Sequence, residues 1–151
     1  MSQFIDITNR LKLGRLLSML THDTSPHWGN MTAQYMVEHL IAEVEYTNGK
    51  RSFVFDVPAE EAAASKKRWI FTDLEIPHNL ILSPPQTDYR YFDLDTAVQQ
   101  LLIELDDFDK HFEAPHRTEN HGAYGALDYA EWLNWLGKHF THHFKQFGLI
   151  N

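Results

Sequence analysis

Apolar residues recur at helical spacing in several stretches of the chain. Leu11, Leu13, Leu16, Leu17 and Leu20 alternate with Arg10, Lys12 and Arg15, which predicts an amphipathic helix over residues 7–20. Thr21 to Pro26 ends it, because Pro26 disfavours helical backbone at Ser25. A second helix is expected from Asn30 or Met31, with Asn30 and Thr32 as candidate caps. It runs through Met36, Leu40, Ile41 and Val44 to the turn signal Asn48-Gly49. Further on, Leu94, Val98, Leu101, Leu102, Leu105, Phe108 and Phe112 form a stripe that Asp93 or Asp95 would cap and Pro115 would stop. A last helix starts at Asp128, which has Glu131 at capping-box spacing, and runs to about Phe147. Gly148 suits the left-handed position after it, with Leu149 free to pack back.

Residues 50–92 carry less pattern. Ser52 to Val57 reads as extended, and Pro58 suits the opening of a short helix over Ala59–Lys67. Beyond Trp69, the prolines at 77, 84 and 85 predict an irregular loop, with a short hairpin or edge strand left open. The elements add up to an all-α fold: one domain over residues 1–151, an antiparallel four-helix bundle with an irregular connection between its second and third helices.

Composition narrows the function classes. A chain of 151 residues with 43% hydrophobic and 23% charged residues has the make-up of a globular domain, which argues against disorder. No apolar run approaches the ~18–20 residues that span a bilayer. Met1 to Asp6 shows no basic stretch followed by an apolar core, so no secretory signal is expected. Without cysteine there are no disulfides, thiolate ligands or cysteine nucleophiles, and the cytoplasm is the default location. A formal net charge of −8 without a basic cluster argues against nucleic-acid binding.

The ten histidines stand out against thirteen lysines plus arginines. Trp132, Leu136, His139, His143 and Phe147 follow at steps of four, three, four and four, the inward seam of a bundle helix. His139 and His143 then sit ~40° apart and ~6 Å along the axis. Two imidazoles in that relation can converge on one ion at ~2.0–2.1 Å each. A single core histidine is more often a satisfied hydrogen-bonding residue, but two on one stripe are costly to bury without partners. His142 lies ~100° off the seam, facing solvent or a neighbouring helix. His39, beside the core positions Met36 and Leu40, is the best third ligand from another helix. His22, His27, His78, His111, His116 and His121 fall in loops or near helix ends and read as exposed, with His121 held in reserve because it precedes the last helix.

Other chemistries fit less well. Phe140 after His139 removes the adjacent base that a zincin requires. The spacing Glu-x-x-His occurs at Glu75–His78 and Glu113–His116, but Pro77 and Pro115 interrupt both. There is no glycine-rich phosphate loop and no nucleophile elbow.

Two segments carry a family resemblance. The first is Trp28-Gly29-Asn30-Met31, then Gln34 and Met36-Val37-Glu38-His39-Leu40. The second is Tyr124-Gly125, Leu127, Glu131-Trp132, Lys138-His139, His142-His143 and Gln146-Phe147-Gly148-Leu149. Together they resemble the DinB-like (YfiT-like) superfamily, in particular a small branch of undetermined function. That branch has Trp-Gly-x-Met near its first histidine and a Lys-His-x-x-His-His-x-x-Gln-Phe-Gly ending. The resemblance implies a four-helix bundle of up-down-down-up topology, often a homodimer. It also implies one divalent ion, zinc or nickel, held by His39, His139 and His143. Better-understood relatives are thiol-dependent transferases or isomerases. That points to a metal-dependent transferase or hydrolase acting on a small molecule, with a low-molecular-weight thiol as partner. Where the branch has His-Pro-x-Phe-Gly, this chain reads His121-Gly122-Ala123-Tyr124-Gly125, so the resemblance gives His121 no role.

Three readings follow: a metal-dependent enzyme, a metal- or ligand-binding bundle without turnover, and a bundle whose core histidines are purely structural. In the first, the general base is unassigned, and Glu38, Glu43 and Tyr35 are candidates to support the ligands.

Overall fold

Side-chain caps fix most of the helix starts. The order is α1 (Arg10–Leu17), α2 (Ala33–Glu45), α3 (Ala59–Ile70), α4 (Leu94–His111), β1 (Glu119–His121), β2 (Gly125–Leu127) and α5 (Tyr129–Gln146). The computed structural model describes residues 3–78 and 88–151, so the expected loop at Pro84 and Pro85 lies outside the described residues. Asn9 accepts from the Lys12 N–H, Thr32 from Tyr35 and Asp93 from Thr96. Asp128 and Glu131 form the reciprocal capping box, at 2.9 and 3.0 Å. α3 starts behind Pro58 with no side-chain cap.

The core is built from Leu13 and Leu17 of α1, Met36 and Leu40 of α2, Leu101 and Phe108 of α4, and Leu136 and Phe140 of α5, with their neighbours. α2 packs most extensively on α4, α1 lies against α4, and α5 meets α2, α3 and β2. The protein is thus mostly helical. Among the described residues, no helix is long and apolar enough to cross a membrane.

Three buried polar groups tie the irregular segments to this frame. Glu38 accepts the backbone N–H groups of Arg90 at 2.8 Å and Tyr91 at 3.2 Å, fastening the entry to α4 onto α2. Lys138, 1% exposed, donates to the carbonyls of Trp69 and Thr72 and so closes the end of α3 against α5. Thr141 accepts the Ile5 N–H at 2.8 Å, which lays the N-terminal segment on α5. Each satisfies backbone groups that burial would otherwise leave unpaired.

The differences from expectation have local causes. α1 begins at Arg10 rather than residue 7, because Asp6 accepts from both the N–H and the hydroxyl of Thr8 and holds a turn there. α3 continues past Lys67 to Ile70, whose side chain is fully buried. It turns the irregular connection into one that contains a full helix. α4 ends at His111, short of Pro115. Residues 52–56 form no strand, and Phe53 instead stacks on Tyr46 with ring centroids 3.6 Å apart. A two-stranded antiparallel hairpin stands where a loop was expected before α5, with His121 paired to Gly125. Its three-residue strands are too short to show an alternating pattern.

Candidate metal centre

The capping box at Asp128 sets the register of α5, and α5 presents His139 and His143 one turn apart. His39 comes from the middle of α2, where the Thr32 cap fixes the helix start. The two helices meet with their imidazole Nε2 atoms converging. His139 Nε2 lies 3.1 Å from His39 Nε2 and 3.0 Å from His143 Nε2. The rings stand at 81° and 47° to that of His139, and those of His39 and His143 at 77° to each other. Among the described residues this is the one group of three or more candidate ligands whose donor atoms lie within 4.8 Å of one another.

Hydrogen bonding alone accounts poorly for this arrangement. An imidazole nitrogen offers one in-plane lone pair or one N–H, so His139 Nε2 cannot make two good bonds at once. A tetrahedral ion with ~2.0–2.1 Å bonds to nitrogen places its ligand atoms ~3.3–3.4 Å apart, within a few tenths of an ångström of the spacing here. Three neutral imidazoles with no carboxylate among them are a donor set that suits zinc, copper, iron or nickel.

The surroundings set the protonation and orientation of the three rings. The Gln146 amide donates to the Trp28 carbonyl at 3.0 Å, which turns its oxygen toward His143. His143 Nδ1–H donates to that oxygen at 2.7 Å. The proton is thereby held on Nδ1, and the Nε2 lone pair faces the cluster. His139 Nδ1 is buried without a hydrogen-bond partner, and the nearest acid, Glu43, has an oxygen 4.0 Å away. Burial pushes Glu43 up to about 7. Burial also lowers His39 to about 4, reinforced by His142, and lowers His143 to about 3, reinforced by His39. His139 is driven well below its ordinary value by burial and by the histidines around it. All three are therefore neutral near pH 7, the state in which imidazole binds metal.

The structure brings together His39, His139 and His143, as the sequence suggested, and leaves the other histidines outside the cluster. His142 donates from Nδ1 to the Ile76 carbonyl at 3.2 Å and packs edge-on to Trp28. His121, expected to be exposed, is instead packed among aromatic rings, stacked on Tyr124 at 4.2 Å and edge-on to Trp135 at 5.3 Å. His111, also expected to be exposed, is half-buried against Glu119 at 2.7 Å. Of the supporting candidates, Glu43 stands beside His139 and Tyr35 faces the same cavity, whereas Glu38 is occupied with Arg90 and Tyr91. Gln146 received no role from sequence, although it sits one turn after His143, where a helical residue can reach back to its ring.

The cluster opens on a cavity of about 420 Å³. Trp28, Tyr35, Phe53 and Trp135 contribute aromatic surface to its wall, and His121 and Glu43 are on it too. Comparison with family models, with curated proteins and with solved structures finds no match to this chain.

Proposed function

We propose that this protein is a metal-dependent enzyme acting on a small molecule, with His39, His139 and His143 holding one zinc or nickel ion. The observation that carries this reading is the approach of three Nε2 atoms, 3.0 and 3.1 Å from one another across His139, on the wall of a cavity. Three protein ligands leave an ion with open coordination, as catalytic sites do and closed structural sites do not. When bound, the ion supplies Lewis acidity that lowers the pKa of water or of a thiol toward neutrality.

The chain's own groups have distinct tasks in this reading. Gln146 and the Trp28 carbonyl hold His143 in its metal-binding tautomer. Glu43 stands 4.0 Å from His139 on the cavity wall, where its carboxyl group can exchange a proton with a bound molecule. Trp28, Tyr35 and Trp135 give the cavity an aromatic wall beside the histidines. We also propose a place in the DinB-like (YfiT-like) superfamily, with α1, α2, α4 and α5 as the up-down-down-up bundle and α3 inserted in its long connection. A low-molecular-weight thiol as co-substrate, a homodimer and a cytoplasmic location belong to the same proposal and rest on the motif resemblance.

The test is turnover. Zinc- or nickel-loaded protein is assayed against a panel of thiols paired with electrophiles and against small hydrolysable esters and amides. The expected result is a metal-dependent activity that chelation removes, that added metal restores, and that His143→Ala lacks. Metal uptake with no turnover across the panel would instead make the protein a binder and overturn the catalytic reading.

A further inference from the structure

The wall of the cavity constrains what can enter it. At about 420 Å³ it has roughly three times the volume of a ~150 Å³ apolar cavity that takes up benzene. Trp28, Tyr35, Phe53 and Trp135, with Met31 and Ile76, make most of its surface apolar. Among the described residues, no lysine or arginine lines it. The one carboxyl group on the wall among the described residues belongs to Glu43.

His121 could have supplied a positive charge, but its bonding argues otherwise. Its Nδ1 accepts the Ala123 N–H at 3.0 Å, so the neutral ring carries its proton on Nε2. Packing among Tyr124, Trp132 and Trp135 disfavours the charged form and lowers its pKa to about 4. His121 is therefore a neutral hydrogen-bond donor. A charged group on the body of a ligand would lose its water here and find no lysine or arginine among the described residues in exchange.

We propose that this cavity receives an uncharged, largely apolar molecule of about two-ring size, which presents a single donor atom to the ion that His39, His139 and His143 would hold. This deepens the metal-enzyme reading and rests on it. It assigns the aromatic wall and His121 to recognition of the body of the ligand, and the histidine cluster to its head.

Three probes with the same donor atom separate the two parts: imidazole, 4-phenylimidazole, and 4-phenylimidazole bearing a carboxylate on the far end of the ring. Zinc alone is titrated first by calorimetry, and each probe is then titrated into the zinc-loaded protein and, in parallel, into the zinc-free protein. The phenyl compound should bind the zinc-loaded protein about tenfold or more tightly than imidazole, as burial of one ring predicts. The carboxylate should erase most of that gain. If zinc binds but the phenyl group adds nothing, or the carboxylate binds equally well, this assignment is overturned while the metal reading survives. If zinc does not bind, the metal reading fails, and the zinc-free titrations decide the pocket. There, preference for the phenyl compound over both others supports it, and parity overturns it.

Discussion

At the scale of residues, the site is defined by groups held in one protonation state. His39 and His143 sit at about 4 and about 3, His139 is held well below its ordinary value, and His121 is at about 4, all with burial as the leading cause. Unfolding releases these four to the ordinary 6.5, so below that pH the unfolded chain binds more protons and stability falls as pH falls. Glu43 acts with the opposite sign. Its folded value of about 7 lies above its ordinary 4.5, so it stabilises the fold as pH drops through that window. Four groups outweigh one, and chelator-treated protein should lose stability from about pH 7 to about pH 5, read as a falling urea midpoint. Glu43→Gln removes the opposing contribution and should make the loss larger. A midpoint that rises on acidification, or one unchanged by Glu43→Gln, would contradict this. The histidine pair was legible because both members share one helix, where spacing fixes direction. Gln146, Trp28 and His121 were less so, because their roles depend on where loops return in space.

Among the elements, the helices with long apolar stripes were the readable ones. α2, α4 and α5 start and end close to where their caps and stop signals place them, and Gly148 adopts φ +70° as its position after α5 requires. The hairpin and the full length of α3 were not readable, since their stability comes from contacts with α5 rather than from local pattern. Two helical glycines make the same contrast testable. A Cβ on Gly137 would lie 2.8 Å from the Ile5 carbonyl oxygen, backbone that the Ile5–Thr141 hydrogen bond holds in place. Gly14 of α1 has nothing within 4 Å of such a Cβ. Gly14→Ala should therefore stabilise by up to ~1 kcal/mol through helix propensity. Gly137→Ala should destabilise by about 1 kcal/mol, because the clash exceeds the same gain. Denaturant midpoints of the two variants should move in opposite directions, and shifts of the same sign would show that the N-terminal segment is not seated on α5 as described.

For the whole molecule, the histidine cluster joins parts of the chain that are far apart in sequence. His39 and His139 are 100 residues apart, and α2 and α5 meet at the site. An ion held there binds the folded chain and not the unfolded one, so it would also stabilise the fold by mass action. Sequence could name the three histidines but could not show that a cavity opens beside them, since that depends on how loops from four regions close over the bundle. The central claim is that these three histidines form one metal centre with coordination left open. It is tested most directly by titrating cobalt into metal-free protein and following its visible absorption. The account predicts saturation at one ion per chain, a spectrum of four or five coordination that changes when imidazole is added, and loss of that spectrum in His39→Ala and His143→Ala. No uptake, or uptake unaffected by either substitution, would contradict it.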